Sequence, residues 1–346
     1  MLQKTTPHNT DALFGASIAS HAIHAVMFQT DSYIEQLLLA VKDKDVDTFK
    51  AALREHFLDG YRFSWKYLDQ LAQRIDFLNN ENPFCAFGRA RNVLYIDYFR
   101  EALSRIWRPG LTTLDLGCGR SAPLSIATIM RLNGAEACYA VDVADDESPA
   151  QTQTAILRIL TEAVLRTDVY NFSKLPRPDF INNVSRFDPD QISAATLSSD
   201  IRKFGIYHQI ADFPEYEQFP VFDFVHSVSV IEHIPDLDEC FNTLRAKMRP
   251  GGIMCHVVDF SDHGPIIRTS PHRYHHLKTG ELMGINGDRL SDVIAKIEAA
   301  GFSVEIVKED HDLVPEDVLT NLHERFARYS DRDLSCYGAN LVATAR

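Results

Sequence analysis

Three features that assign proteins to special classes are scarce in this sequence. Its 346 residues include six cysteines and no Cys-x-x-Cys pair, which argues against a disulfide framework and a zinc ribbon. No segment approaches the roughly 20 apolar residues of a membrane-spanning helix. The N-terminus lacks the long apolar run of a signal peptide, since Asp11, His21 and His24 interrupt it. We therefore expect a cytoplasmic protein with reduced thiols and no membrane partner.

Positive charge is also scarce. The chain has 35 Lys and Arg against 48 Asp and Glu, which gives a formal net charge of −13. Proteins that bind nucleic acids neutralise phosphates with clustered Lys and Arg, so we expect no nucleic-acid partner. The remaining composition, 45% hydrophobic and 24% charged, is ordinary for a globular protein. The length allows one large domain, or a core domain with a smaller one.

A glycine turn near residue 117 is the most informative local feature. Residues 111–119, with the sequence LTTLDLGCG, predict a strand that ends in this turn, and a helix follows from Ser121 to about Leu132. Such a turn binds nucleotides in doubly wound α/β proteins, because glycine allows close backbone approach and the helix N-terminus offers free N–H groups. The third glycine of a dinucleotide fingerprint is absent, since Ala122 occupies its position.

Two acidic residues narrow the choice of nucleotide. Asp115 precedes Gly117 by two residues, where a carboxylate would repel a pyrophosphate and attract an ammonium or sulfonium group. Further on, residues 137–142 (ACYAVD) predict a second strand that ends in Asp142. This position, about 20 residues after the glycines, is where an acid holds the ribose diol. Together the two acids favour S-adenosylmethionine over NAD.

These residues resemble a known family. The segment Leu114–Arg120 (LDLGCGR) is similar to motif I of class I S-adenosylmethionine-dependent methyltransferases. Three later segments resemble the same family in the same order: Ile210–Phe213, Phe222–Ile234 and Arg249–Gly252. The likeness covers residues 88–345 and implies an α/β fold. That fold would be a doubly wound, seven-stranded, mostly parallel Rossmann-like sheet, closed by a reversed hairpin.

The resemblance implies a set of contacts with S-adenosylmethionine. The cofactor-binding residues would be Asp115, Gly117, Cys118, Gly119, Asp142, Val143, Asp212, Phe213 and Ser227. The glycine turn would hold the methionine end, with Asp115 near its ammonium group. Asp142 would bind the ribose hydroxyls. Asp212 would accept a hydrogen bond from the adenine amino group, which can only donate, and Phe213 would pack on the ring.

Two acid–histidine pairs follow the ends of predicted strands, at Glu232-His233 and Asp262-His263. If the methyl acceptor is a hydroxyl, its proton must be removed, and histidine is the most suitable base near neutral pH. We predict that His233 or His263 is the base and that Glu232 or Asp262 orients it. In the alternative interpretation, His233 only braces its loop through backbone hydrogen bonds.

Five histidines between residues 256 and 276 raise the question of a metal. They are His256, His263, His272, His275 and His276. Imidazole is a common metal ligand, but this spacing matches no zinc signature and no matching set of carboxylates is evident. We therefore predict no metal.

Helical periodicity defines the other regions. Residues 1–82 predict an N-terminal helical appendage that acts as a lid, forms a homodimer or simply packs on the core. Residues 83–346 would form the methyltransferase domain. Within it, residues 145–205 are too many for an ordinary α/β connection, and they predict a helical insertion. At the carboxyl edge of the sheet, such an insertion would shape an acceptor pocket.

A narrower likeness bears on the acceptor. The segment from Ser227 through Asp262-His263 to Leu290 resembles bacterial methyltransferases of polysaccharide or secondary-metabolite synthesis. We therefore predict O-methylation of a small molecule, such as a sugar, a glycan precursor or a natural product. N-methylation of a small amine, a nicotinamide-dependent oxidoreductase and a non-catalytic subunit remain alternatives.

Overall fold

The fold is built on one mixed sheet. The computed structural model describes residues 83–119, 124–143, 149–165, 167–195, 198–210, 212, 219–263 and 272–346. The appendage predicted over residues 1–82, its role in a homodimer and the predicted adenine contact of Phe213 lie outside the described residues. The strands are β1 (Thr112–Leu116), β2 (Ala137–Asp142), β3 (Ile206–Ile210), β4 (Phe222–Val228), β5 (Met248–Asp259), β6 (Phe302–His311) and β7 (Cys336–Ala345).

The strand order confirms the predicted architecture. The order is β3-β2-β1-β4-β5-β7-β6, and β1 to β5 pair in parallel. β7 runs antiparallel to both β5 and β6, which is the predicted reversed hairpin. The order reverses between β1 and β4, and ligands bind beyond the carboxyl ends of strands at such a switch point.

Helices flank the sheet and fill the long connection after β2. The α-helices are Pro83–Ile106, Ser125–Leu132, Pro149–Leu165, Thr167–Tyr170, Arg177–Ser185, Pro189–Ser193, Leu237–Ala246, His275–Thr279, Leu290–Ala299, Glu316–Thr320 and Asp331–Ser335. Short 3-10 helices occupy Ser198–Phe204, Ile231–His233, His272–Tyr274 and Glu324–Phe326. The helices between Pro149 and Phe204 confirm the predicted insertion. No helix of the described part is both long and apolar enough to cross a membrane.

β4 lies in the centre of the core, as its continuous apolar sequence predicts. Neighbouring side chains of a strand point to opposite faces of a sheet. Phe224 packs edge to face on Phe99 of the helix Pro83–Ile106, with ring centroids 6.3 Å apart. Val225 instead belongs to the apolar cluster that β4 shares with the helices Leu237–Ala246 and Leu290–Ala299. Both faces of the sheet are therefore covered, as in a doubly wound fold.

The sequence also predicts that Asp236 caps a helix that runs to Met248 and that Pro250-Gly251-Gly252 terminates it. The cap is confirmed, since Oδ1 of Asp236 accepts from the amide of Glu239 at 2.9 Å. The predicted end is wrong, because the helix ends at Ala246 and residues 250–252 belong to a strand. These residues lie inside β5, where the pairing with β4 shifts register between Phe222 and Phe224. Proline and glycine are tolerated there because the ladder is already irregular.

Candidate active site

The glycine turn after β1 is fixed by contacts that only glycine permits. Gly117 has φ +70, and a Cβ added there would lie 2.2 Å from Cγ2 of Val230. Its amide donates to the carbonyl oxygen of Val141 at 2.8 Å, and the amide of Cys118 donates to the same oxygen at 3.1 Å. The turn is thereby attached to the end of β2 and packed on the segment that follows β4.

Open space and polar groups meet beside this turn. Gly119 has φ +77, and a Cβ added to it would find no atom within 4 Å. Its amide donates to Oδ2 of Asp142 at 2.7 Å. The side chain of the next residue, Val143, is 73% exposed. A glycine cradle, a carboxylate for a diol and an apolar surface for a purine are together, so these residues fit an adenosyl cofactor.

Asp115 lies in the interior beneath the turn. Burial, with a smaller effect from Asp142, raises the pKa of Asp115 to about 7. Its Oδ1 is 3.4 Å from Nδ1 of His226. Burial, and then His256, lowers the pKa of His226 to about 3, so this contact involves a neutral imidazole and is not an ion pair. A bound ammonium group would therefore favour the charged form of Asp115.

Two other predicted cofactor residues have different surroundings. Ser227 is completely buried at the end of β4, and its Oγ lies 2.7 Å from Nδ1 of His256. Its hydroxyl therefore connects β4 to β5. Asp212, which follows β3, is exposed at the edge of the sheet.

The loop after β4 places Glu232 and His233 beyond the sheet and is clamped by Asn286. The amide of Asn286 donates to the carbonyl oxygen of Glu232 at 2.7 Å. Its Nδ2 donates to the carbonyl oxygens of Ile231 and Ile234, each at 2.9 Å. The role of Asn286 could not be predicted, because no local pattern shows that this residue contacts the loop after β4, more than 50 residues earlier in the chain.

His233 is oriented by a backbone carbonyl. Its Nδ1 lies 2.9 Å from the carbonyl oxygen of Gly284. Because a carbonyl can only accept, Nδ1 carries a proton, and in the neutral ring the lone pair lies on Nε2. Part of the bracing interpretation is therefore correct, but this contact leaves the second ring nitrogen available for chemistry.

His263, from the segment after β5, stacks on His233. Their ring centroids are 4.8 Å apart with an interplanar angle of 27°. Nε2 of His263 lies 3.5 Å from Oδ2 of Asp259, whose Oδ1 accepts from the amide of Ser261 at 2.9 Å. Burial acts to raise the pKa of Asp259, but hydrogen bonds from His263 and Ser261 outweigh it and leave a pKa of about 2.

Asp259 is thus a carboxylate beside His263 that the sequence analysis missed. Glu232 and Asp262 were the acids predicted to orient a histidine. Asp262 is buried, and its amide donates to the carbonyl oxygen of Arg273 at 2.9 Å. Asp259 precedes His263 by four residues, at the end of β5, where it reads as an ordinary strand residue.

Glu232 is the most unusual charged group of the site. Its side chain is 4% exposed, and neither carboxyl oxygen has a hydrogen-bond partner among the described residues. Burial raises the pKa of Glu232 well above its ordinary range, although the backbone amides of Glu232 and Asp259 lie near enough to oppose this. One ligand atom from each of Glu232, His233 and His263 lies within 4.8 Å of the others.

Among the other histidines of residues 256–276 whose side chains the structure describes, none joins this group. His256 and His276 are buried, and burial lowers the pKa of each to about 3. His275 is exposed. Of the histidines in this stretch with described side chains, only His263 stacks on His233.

Comparisons with known proteins identify the family of the chain. A family model described as a methyltransferase domain matches residues 87–305. No curated protein matches the chain. Among solved structures, the YcgJ protein of Bacillus subtilis is similar at 11% identity, covering 73% of this chain and 99% of that chain with a TM-score of 0.40.

Two further solved structures have similar statistics. An S-adenosylmethionine-dependent methyltransferase from Mesorhizobium loti is 15% identical, covering 71% of this chain and 97% of that chain, with a TM-score of 0.37. Phosphoethanolamine N-methyltransferase 2 of Haemonchus contortus, in complex with S-adenosyl-L-methionine, is 16% identical. That match covers 78% of this chain and 59% of the other, with a TM-score of 0.37. Because the family model matches well over half of the sequence, the chain belongs to the methyltransferase domain family, and its cofactor is S-adenosylmethionine.

Proposed function

We propose that this methyltransferase O-methylates a small molecule, with His233 as the general base. The observation that carries the proposal is the orientation of His233: the Gly284 carbonyl accepts from its Nδ1, so that Nε2 holds the lone pair of the neutral ring, and the residue lies beside Glu232 and His263. These groups follow the carboxyl ends of β4 and β5, next to the glycine turn. S-adenosylmethionine supplies an electrophilic methyl group on a positively charged sulfur when it is bound.

Different residues of the chain would bind different parts of the cofactor. Asp142, whose Oδ2 accepts from the amide of Gly119, would hold the ribose hydroxyls, and Asp115 would stabilise the ammonium group. Val143 offers the apolar surface for adenine, with Asp212 as the acceptor for its amino group. Because these groups belong to strand ends and a rigid turn, they would hold the cofactor in one position beside the loop that carries His233.

At the acceptor, His233 removes the proton. The hydroxyl proton would pass to Nε2 of His233 as the acceptor oxygen takes the methyl group that S-adenosylmethionine would supply, which would leave S-adenosylhomocysteine. Glu232 lies close enough to stabilise the imidazolium that forms, and the Asp259–His263 pair supports the stacked partner ring.

The proposed acceptor is a sugar, a glycan precursor or another biosynthetic intermediate. This class is supported by the net charge of −13, which disfavours polyanionic substrates, and by the helical insertion that follows β2 at the binding edge. A small amine is the second candidate, because the buried carboxyl of Glu232 has no partner among the described residues and would pair with an ammonium group.

Release of S-adenosylhomocysteine from panels of sugars, phenolic alcohols and amines tests the proposal. With a hydroxyl acceptor, we expect His233→Asn to lower kcat by about 100-fold or more, since general-base catalysis contributes this much. Affinity for S-adenosylhomocysteine should be unchanged. The exposed His275→Asn variant is the matched control and should keep wild-type kcat.

Three results would contradict the proposal in part or in whole. A His233→Asn variant that retains full kcat on a hydroxyl acceptor excludes His233 as the base. Turnover of amines alone, insensitive to this substitution, would establish N-methylation, because an amine needs no base once it is neutral. Binding of NADH in place of S-adenosylhomocysteine would contradict methyl transfer itself.

A further inference from the structure

Glu232, His233 and His263 form a group that could bind a metal ion, which methyl transfer as proposed does not require. Each residue presents a metal-ligand atom, and the three atoms converge from two separate loops. We propose that this group binds a divalent transition-metal ion of the Zn²⁺ class, and that the ion inhibits methyl transfer. The inhibitory part rests on the proposed function, whereas the binding part does not.

The separations suit a single ion. The three ligand atoms lie within 4.8 Å of one another. Zinc binds histidine nitrogen and carboxylate oxygen at about 2.0–2.2 Å in a tetrahedral arrangement, so two ligands of one ion lie about 3.3–3.6 Å apart. The ligand atoms of this group would therefore approach one another by up to about 1.5 Å when an ion binds.

In each histidine, one ring nitrogen contacts a protein oxygen and the other is left for a metal, as in metal-bound histidines. Nδ1 of His233 donates to the Gly284 carbonyl, which leaves Nε2 for a ligand. Nε2 of His263 faces the carboxylate of Asp259 at 3.5 Å, which leaves Nδ1. Nδ1 of His263 is buried and has no hydrogen-bond partner among the described residues. The Asp259–His263 pair thus repeats the carboxylate–histidine arrangement that orients a metal ligand.

Glu232 supplies an independent reason to expect a cation. Its carboxyl group is buried without a hydrogen-bond partner in the described part of the chain. An unpaired carboxylate in the interior is unfavourable by several kcal/mol, and a bound cation removes that penalty. The hydrogen bonds from Asn286 to the surrounding backbone hold Glu232 in this position.

The donor atoms select the class of metal. Two imidazoles and one carboxylate suit Zn²⁺ and its neighbours Co²⁺ and Ni²⁺, whereas Mg²⁺ and Ca²⁺ prefer oxygen ligands alone. An imidazole nitrogen has a single lone pair, so it cannot bind a metal and accept a proton at the same time. Occupancy would therefore remove the base from His233 and stop O-methylation until the metal is withdrawn.

Direct metal titration tests the binding part. The full chain is treated with EDTA, dialysed and titrated calorimetrically with Zn²⁺, while Co²⁺ reports coordination geometry through its visible absorption. We expect one ion per chain. Glu232→Gln and His263→Ala should each weaken Zn²⁺ binding by about 100-fold or more, since loss of a supporting residue alone weakens metal affinity about 10- to 100-fold. His275→Ala, in the same histidine-rich stretch, should bind normally.

The outcomes separate the two proposals. Absence of stoichiometric Zn²⁺ binding to wild type, or binding that Glu232→Gln and His263→Ala both retain, overturns the metal site and leaves the proposed function intact. Cofactor binding, measured with S-adenosylhomocysteine, verifies that each variant is folded. Zn²⁺ should lower release of S-adenosylhomocysteine at least tenfold, and EDTA should restore it. An unchanged or faster rate with bound Zn²⁺ overturns the inhibitory part alone.

Discussion

Two buried carboxyl groups lie at opposite ends of β4 and have opposite surroundings. Asp223, at the start of the strand, accepts from Nη2 of Arg108 and the amide of Thr112, at 3.0 and 2.9 Å. Nε of Arg249 lies 3.3 Å away. Glu232, just beyond the other end, has no hydrogen-bond partner among the described residues. The amino end of the sheet uses a buried acid for stability, whereas the carboxyl end keeps one available for a ligand.

The largest effect is expected at Gly117, which follows β1 at the carboxyl end of the sheet, compared with Gly110, which precedes β1 at the amino end. Gly117→Ala places a Cβ against Val230 in a left-handed backbone, and we expect a loss of about 3 kcal/mol. At roughly 2–4 °C per kcal/mol, Tm should fall by about 6–12 °C. Gly110, before β1, is also left-handed but has no atom within 4 Å of an added Cβ.

Thermal unfolding of both variants measures this effect. The control Gly110→Ala should lose only about 1 kcal/mol, because it has the backbone penalty without the clash. Val230→Ala should recover part of the loss caused by Gly117→Ala. Equal destabilisation at Gly110 and Gly117 would show that the turn is not packed as described.

Removing the acid at the end of β2 should strongly reduce cofactor affinity. We expect Asp142→Ala to weaken binding of S-adenosylhomocysteine about 10- to 100-fold, because a carboxylate–diol pair is a charge-assisted hydrogen bond. Calorimetry measures the change. Asp223→Ala, at the opposite end of the sheet, should leave this affinity unchanged in the folded protein, and unchanged affinity in Asp142→Ala contradicts the ribose assignment.

The pKa of Asp115, raised to about 7, makes cofactor binding depend on pH. The bound ammonium group favours the carboxylate, so affinity for S-adenosylhomocysteine should rise by up to about tenfold from pH 6 to pH 8. The stability of the protein without cofactor should change in the opposite direction and fall as pH rises. Burial of the neutral acid adds stability that is complete below its ordinary pKa of 3.8 and is lost as pH rises through about 7.

Asp115→Asn isolates both effects. Its affinity should vary less with pH than that of wild type, and its stability advantage over wild type should grow between pH 4 and about pH 7. Calorimetry and thermal unfolding at matched pH values measure the differences. Parallel pH profiles for the two proteins would show that Asp115 does not titrate as described.

The smallest expected effect is the change in stability when Asp223 or Glu232, the acids at the two ends of β4, is replaced. Asp223→Asn should destabilise the protein by about 1 kcal/mol, a modest value because its arginine partners are more than half exposed and solvent screens them. Glu232→Gln should be neutral or slightly stabilising, because it removes no hydrogen bond seen among the described residues. Chemical denaturation distinguishes the two, and a larger loss for Glu232→Gln would reverse the comparison.

The sequence predicted those parts of the fold that depend on local pattern. The bounds of β2 were predicted correctly because a short apolar run ends at an acid. The Asp236 cap follows from a helix N-terminus that is visible in the sequence. Residues 250–252 were wrongly predicted to end a helix, because their place in β5 depends on pairing with a neighbouring strand and local composition does not record that pairing.

Individual candidate residues of the site could be predicted from local pattern, but their arrangement in space could not. Glu232, His233 and His263 were all identified, because acid–histidine pairs follow strand ends that must face the ligand edge. Their convergence was not predictable, since it depends on two loops that are distant in the chain. Asp259 and Asn286 were missed for the same reason: their partners are set by tertiary structure alone.

The most direct test of the central claim is calorimetric titration of the purified chain with S-adenosylhomocysteine, with NADH titrated in parallel. The account predicts one molecule of S-adenosylhomocysteine bound per chain through the glycine turn and Asp142, and no heat from NADH. Uptake of the dinucleotide with no response to S-adenosylhomocysteine would contradict it.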